Sequence, residues 1–356
     1  MDTLPSSASG HAAEPLTPAQ LRELYSLMVA VRHLDTSAVA WQRQGLIPGY
    51  APEQGQEAAQ VGSGYAVDST RDFVFPTYRE MGVARTLGVD MVSYMSTHKA
   101  TWHGGLYDPL ESRLAPIQAV VAGSVLHAVG WAHGQTLSRT DGVALAYFGD
   151  GASSQGDIHE AMNFAGVLKA PVVFFIQNNG WAISVPTERQ VAGGSVAARA
   201  AGYGLPALQI DGDDVVAVVD TTRRAFAHAR SGGGPVVVEA RTYRRGPHST
   251  ADDPGRYRSL EEERAGAGED PIERLRKRLL AEGAADEAFF AAALAAAEAE
   301  EEEVRAGVEA LGPRPGTEMF DLVFQENTPA LQAQAANWRE ESEHVYRHPR
   351  RREPGR

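Results

Sequence analysis

Apolar and polar positions alternate with two different periods along this 356-residue chain, and each period marks a different kind of element. Leu21, Leu24, Tyr25, Met28, Val31, Ala38 and Trp41 recur at three- and four-residue steps until Gly45, which predicts one long helix with a single buried stripe. Thr17, Pro18 and Gln20 fit its N-cap, first-turn proline and third capping-box position. Residues 53–66 and 116–134 are helical in period but crowded with Ala, Gly and Ser, a composition that points to close backbone packing. In the middle of the chain Val143–Phe148 and Pro171–Gln177 are short apolar runs around the helix-periodic Ile158–Lys169, the strand, helix and strand of a buried parallel sheet. A second round follows: a short strand at Ala207–Ile210, a helix over Val215–Arg230 capped by Asp214, and a strand at Pro235–Ala240.

The expected fold class is therefore α/β, a doubly wound and mainly parallel sheet flanked by helices, with a helical N-terminal segment and a helical C-terminal tail. Beyond Tyr243 the chain reads as a charged loop to Asp270, where Asp270, Pro271 and Glu273 start another helix. Ala284–Leu311 reads as a peripheral helix with Phe289, Phe290, Leu294 and Val304 inward and Glu300–Glu303 as a solvated face. Residues 1–16, rich in Ser, Ala and Pro, are expected to form a disordered lead-in, 17–312 one α/β domain, and 313–356 a C-terminal tail.

Composition narrows the function by exclusion. Lys and Arg number 33 against 46 Asp and Glu, a net charge of −13, which leaves no basic footprint for general nucleic-acid binding. The absence of cysteine removes disulfides, thiolate metal sites and a cysteine nucleophile. No basic start is followed by an apolar leader and no run reaches membrane-span length, so a soluble cytoplasmic protein without membrane contact is expected.

Candidate chemistry lies in residues 149–184, GDGASSQGDIHEAMNFAGVLKAPVVFFIQNNGWAIS. Gly149, Asp150 and Gly151 end one strand, and Asn178 and Asn179 end the next. Neighbouring strands of a right-handed unit lie about 4.8 Å apart, which lets Asp150 and Asn179 reach one ion. A carboxylate and an amide oxygen suit magnesium, and the amides of Gly151 and Ala152 before a helix suit a diphosphate. GDG alone also fits a plain strand-to-helix turn; its pairing with Asn179 across a complete strand, helix and strand makes the arrangement specific.

This segment resembles the thiamine-diphosphate motif. Its continuation NNGWAIS, with GYG at 202–204, IDGDD at 210–214 and TYRRGPHSTADD at 242–253, is similar to the alpha subunit of 2-oxo acid dehydrogenase complexes, most of all the branched-chain decarboxylase component. The likeness covers roughly residues 17–345. It implies thiamine diphosphate and Mg2+ as cofactors, with Asp150, Asn179 and the Trp181 carbonyl on the metal. It also implies that Gly149, Gly151, Ala152, Tyr78, Arg79 and His248 surround the diphosphate, and that Val121 makes a backbone contact to the aminopyrimidine. His248 is the implied catalytic residue beside the substrate entrance. Ser249 stands where mitochondrial relatives carry a regulatory phosphoserine.

Departures from the pattern are Thr77 in place of a glutamine, and Gln177 where some members have a phosphate-contacting arginine. Gln118, Ala119 and Gly123 replace the Ser and Thr of a monovalent-cation site, so potassium is not expected. His103 lies where the family has a conformationally important loop, and the loops at 98–120 and 244–260 flank the site. The Asp211, Asp213, Asp214 cluster lacks the features of a calcium loop and reads as turn and helix cap.

By resemblance the activity is oxidative decarboxylation of a branched-chain 2-oxo acid, followed by reductive acylation of a lipoyl group on an acyltransferase partner. The activating glutamate is supplied by a beta subunit in an α2β2 heterotetramer, so the alpha chain alone is expected to be inactive. Pyruvate or acetoin as substrate, and a non-catalytic cofactor-binding subunit, are the alternatives. A nicotinamide-binding oxidoreductase is disfavoured because no GxGxxG follows the strand ending at Phe148.

Overall fold

The computed structural model describes residue 4 and residues 15–100, 105–321 and 323–347. His103 and most of the expected lead-in lie outside the described residues. A capping box is present as expected: Gln20 N donates to Thr17 Oγ1, and Thr17 N to Gln20 Oε1, at the start of helix α1, Pro18–Arg43. Its stripe is buried, with Leu34 and Asp35 added.

Five strands form one sheet: β1, Phe73–Phe75; β2, Ala144–Gly149; β3, Val172–Asn178; β4, Ala207–Asp211; β5, Val236–Arg241. Their spatial order is β1-β2-β3-β5-β4 and every pairing is parallel. Successive side chains point to opposite faces, so β3 feeds two cores at once. Val173 and Phe175 join the core under α1, whereas Val172, Phe174 and Ile176 join the other, and β2 divides likewise between Leu145, Tyr147 and Ala144, Ala146, Phe148. Helices α2, Glu57–Tyr65, and α5, Val215–His228, cover the first face; α3, Val125–Ser138, and α4, Gly156–Leu168, cover the second. The Asp214 carboxylate caps α5 by accepting from Val216 N and Ala217 N.

Several expectations need correction. Residues 53–56 precede the helix rather than belong to it, because Gly55 has φ +92°, in the left-handed region. A Cβ there would stand 2.3 Å from the Tyr243 carbonyl oxygen, so only glycine permits this approach. Residues 116–124 are turn and coil: Ala122 adopts φ +66° and α3 starts only at Val125. The region after Tyr243 holds a helix, Leu260–Ala267, capped by Ser259.

Helix α6, Pro271–Ala281, starts at the Asp270 cap as expected, and α7 spans Glu287–Ala310. Along α7 Phe290 and Val304 are buried and Phe289 packs on the core, but Leu294 is 46% exposed and Ala293 and Ala297 take the inward positions. The acidic run is not simply solvated either. Glu300 pairs with Arg85 at 2.6 Å and Glu301 accepts from Trp41 Nε1 at 3.0 Å.

The chain divides into two compact units, Met1–Ala310 and Leu311–Arg356. Within the second, the rings of Phe320 and Trp338 meet at a tilt of 60° with centroids 6.4 Å apart, the latter on a helix over Pro329–Arg347. Among the described residues no helix is long and apolar enough to cross a membrane.

Candidate active site

Gly149 of β2 pairs with Gln177 of β3, so both strands run out at the same edge and the next residues turn side by side. Asp150 and Asn179 are buried there. Asp150 Oδ2 accepts from Thr187 Oγ1 at 2.6 Å. Asn179 Oδ1 accepts from Trp181 N at 3.3 Å, and its Nδ2 donates to Gln56 Oε1 at 3.2 Å. Burial pushes the Asp150 carboxyl above its ordinary value, opposed by the Thr187 hydroxyl. A buried carboxylate whose close partner is a neutral hydroxyl is costly, and a cation would offset that cost. Among the described residues no group of three or more His, Cys, Asp or Glu side chains could hold a metal. A cation here would rest on one carboxylate, an amide and a carbonyl, with the remaining oxygens brought by its ligand, as magnesium tolerates.

Gly151–Ser154 form a single 3-10 turn before α4. A Cβ at Gly151 would meet the Ala182 Cβ at 2.8 Å, so glycine is required by the two-residue hairpin Trp181–Ala182 and Val185–Pro186 that folds over the turn. Gln190 ties the same turn down, its Nε2 donating to Gly151 O at 2.6 Å.

Facing this negative edge is a cationic one. Arg79 is buried, and its Nη1 donates to the Pro52 carbonyl while Nη2 donates to His248 O at 2.7 Å and lies 3.2 Å from His248 Nδ1. Guanidinium has only donors, so His248 Nδ1 must accept and the ring proton is assigned to Nε2. Burial, then the charges of Arg79 and Arg244, hold the His248 pKa down to about 4, against the opposing pull of Asp252. The Tyr78 ring meets His248 edge-on at 6.0 Å and carries the Arg79 guanidinium 5.5 Å above its face.

Arg244 joins the two edges. Its guanidinium donates to Trp181 O at 3.3 Å, to Ile183 O at 2.7 Å and to the Tyr257 hydroxyl at 2.8 Å. The Trp181 carbonyl thus already receives one long hydrogen bond, which leaves a lone pair free. Ile183, a β-branched residue at φ +55°, is held in a conformation that costs about 1–3 kcal/mol, as functional loops often are. The 244–260 loop is closed on itself: Tyr257 Oη donates to Asp252 Oδ2 at 2.5 Å, and Arg258 donates to the carbonyls of Arg244 and Gly246.

These elements enclose a cleft of about 300 Å³. Tyr78, Arg79, Val121, Gly149, Asp150, Gly151, Ala152, Asn179, Trp181 and His248 all line it, so the structure brings together every residue expected to hold metal or cofactor or to act in catalysis, while Ser249 is not among the lining residues. Its other end is apolar: Val120, Val121 and Ile183 are 71%, 45% and 52% exposed.

Comparison with known proteins matches residues 25–312 to the model of the dehydrogenase E1 component family. The chain belongs to this family. Among its relatives, the 3-methyl-2-oxobutanoate dehydrogenase subunit alpha of Mycobacterium tuberculosis is 44% identical over 90% of this chain and 87% of its own. The pyruvate dehydrogenase E1 component subunit alpha of Staphylococcus epidermidis is 40% identical over 75% of this chain and 72% of its own, and that of Staphylococcus aureus 39% over 74% and 70%.

Sequence reasoning noted Gln177 of this E1 chain's cleft but missed Gln56 and the buried polar residues behind the lining. Gln56 is fully buried with Nε2 unpartnered, and Gln177 leaves Oε1 unpartnered beside Glu80. Glu53, Gln56, Glu57 and Gln60 repeat at three- and four-residue steps, a pattern that normally marks a solvated helix face, yet all four are buried. Thr187 and Gln190 read as an ordinary helix start, and nothing local marks them as site residues.

Proposed function

We propose that this chain is the alpha subunit of a branched-chain 2-oxo acid dehydrogenase, acting with thiamine diphosphate and magnesium at a cleft completed by a beta subunit. The observation that carries this reading is the meeting, in one cleft, of the buried Asp150 carboxylate and the buried Arg79 guanidinium, neither of which forms a salt bridge among the described residues. That pairing suits a magnesium diphosphate, which brings a cation and an anion together. Likeness over nine-tenths of the chain to a 3-methyl-2-oxobutanoate dehydrogenase alpha subunit supports the branched-chain substrate.

In this reading Asp150, Asn179 and the Trp181 carbonyl hold the ion. The Gly151 and Ala152 amides, Tyr78, Arg79 and His248 hold the diphosphate, Gly149 leaves room beside it, and the Val121 backbone meets the aminopyrimidine. When bound, thiamine diphosphate supplies the nucleophilic carbon and electron sink that decarboxylate a 2-oxo acid and pass the acyl group to a lipoyl arm. His248, neutral at working pH and carrying its proton on Nε2, donates to anionic oxygens at the cleft mouth. Arg79 keeps that tautomer and supplies a cation, and Val120, Val121 and Ile183 give the apolar surface that excludes water beside it.

Dependence on a beta subunit is supported by Glu80, the one glutamate among the cleft-lining residues. Its Oε2 accepts from Thr77 N and Oγ1 and its Oε1 from Gln177 Nε2 at 2.7 Å, so the carboxylate is already held by groups of this chain rather than left for a cofactor ring. The C-terminal unit is assigned to packing on partner subunits, and a lipoyl-bearing acyltransferase is the expected acceptor in a cytoplasmic complex.

The test is calorimetric titration of thiamine diphosphate with magnesium into the chain assembled with its beta partner, followed by steady-state rates on 3-methyl-2-oxobutanoate and pyruvate. Cofactor binding only in the assembly, with preference for the branched substrate, is expected. Decarboxylation by the alpha chain alone would refute the shared site, and preference for pyruvate would move the chain to the pyruvate enzymes.

A further inference from the structure

Behind Asp150 stands a cluster of buried polar groups that none of the roles above uses. Thr187 is buried, and its hydroxyl lies 2.6 Å from Asp150 Oδ2 and 3.1 Å from Asn178 Oδ1. Asn178 Nδ2 donates to Glu239 Oε1 at 2.7 Å. Glu239, fully buried on β5, is anchored in turn: its Oε2 accepts from Ser195 Oγ at 2.6 Å and from Ala197 N and Gln209 Nε2 at 3.0 Å. Asn178, beside the Thr187 hydroxyl, is therefore fixed on a carboxylate that Ser195, Ala197 and Gln209 hold still.

Thr187 has little freedom of its own. Its N–H donates to Gly180 O at 3.0 Å, its carbonyl accepts from Val191 N at 2.8 Å, and a β-branched side chain is stiff about its first torsion. A carboxylate can offer either oxygen to an ion, and a hydroxyl has one proton to give. The shorter, charge-assisted contact takes that proton, which occupies Oδ2 and leaves Oδ1 for the ion.

We propose that Thr187 is a positioning residue whose hydroxyl locks Asp150 Oδ2 and so presents Oδ1 to the magnesium ion, its backbone hydrogen bonds with Gly180 and Val191 fixing where the hydroxyl stands. This rests on the reading of Asp150 as a magnesium ligand. Groups that orient metal ligands typically cost about 10–100-fold in metal affinity when removed.

The experiment measures, by calorimetry on the complex assembled with its beta partner, the magnesium concentration that half-saturates thiamine diphosphate binding. Thr187→Val should raise it about 10–100-fold, Thr187→Ser should restore it, and saturating magnesium should return cofactor affinity in Thr187→Val to that of the wild type. A general packing defect would not be cured by magnesium, so a loss that magnesium fails to rescue overturns the proposal. An unchanged half-saturation point in Thr187→Val, alongside lost binding in Asp150→Ala, overturns the role of Thr187 and leaves the metal site standing. Unchanged binding in Asp150→Ala overturns the site itself. If Thr187→Val does not assemble, Thr187→Ala removes the same hydroxyl and carries the same expectations.

Discussion

One wall of the cleft comes from a single stretch, residues 149–190, in which Asp150, Asn179 and Thr187 are set by two adjacent parallel strands and the short hairpin after them. The facing wall is gathered from three distant stretches, around Pro52, Arg79 and His248, and its closest contacts are a guanidinium with two carbonyls and an imidazole. The near wall is negative and held by neutral groups; the far wall is positive and held by backbone acceptors. Among the described residues neither Asp150 nor Arg79 is closed into a salt bridge within its own wall. Each remains available to a ligand of opposite sign, and short-range geometry builds one site while tertiary packing builds the other.

The largest break in this comparison should come from the near wall. Asp150→Ala removes the one charged side chain that this stretch contributes to the cleft lining among the described residues, and magnesium-dependent cofactor binding should fall by more than the about 10–100-fold of an outer partner; calorimetry with wild-type thermal stability in parallel checks it. On the far wall, Arg79→Lys keeps the charge but loses the fork. A hydrogen bond to a charged group is worth about 1.5–3 kcal/mol, so cofactor affinity should drop by about 10–100-fold while the magnesium dependence stays the same. A shifted magnesium dependence would show that the walls are not separable.

Gly55→Ala tests how the far wall is held. The added Cβ meets the Tyr243 carbonyl and the residue must keep φ +92°, so a loss of about 1–3 kcal/mol in unfolding stability is expected, with weaker cofactor binding through the displaced 243–248 segment. Wild-type stability in a denaturant titration would refute the close approach.

The smallest effect concerns pH. His248 titrates near 6.5 when unfolded and at about 4 when folded, so the stability that its neutral form contributes is present above 6.5 and is lost as pH falls through about 4. Arg79→Met removes one cause of the depression, so the His248 pKa should climb and the acid-side loss of stability should shrink. An NMR titration of the histidine resonances checks this, and an unmoved His248 pKa would mean that burial and the Arg244 charge set it.

Much of the near wall is legible in the order of residues alone. Two wholly apolar runs separated by a helical period must be buried parallel strands, and parallel strands end at the same edge, so Asp150 and Asn179 have to meet. Long-range placement of Arg79, Val121 and His248 comes instead from family resemblance, since no local rule brings residues 79 and 248 together. Other parts mislead for identifiable reasons. Residues 116–124 have helical period, but Ala122 in the left-handed region ends it and sends Val121 to the cleft.

By itself the sequence determined the alternation of strands and helices, the α1 cap, the two-faced sheet and the turn that carries Asp150, because each follows from periodicity and chemistry within a few residues. Only the tertiary structure decided that Glu53, Gln56, Glu57 and Gln60 are buried, that Glu300 and Glu301 are paired, and that Thr187 stands behind Asp150. The physical reason is the same in each case. A polar side chain carries no local sign of whether water or another polar group will satisfy it, and that choice belongs to whatever the fold packs against it.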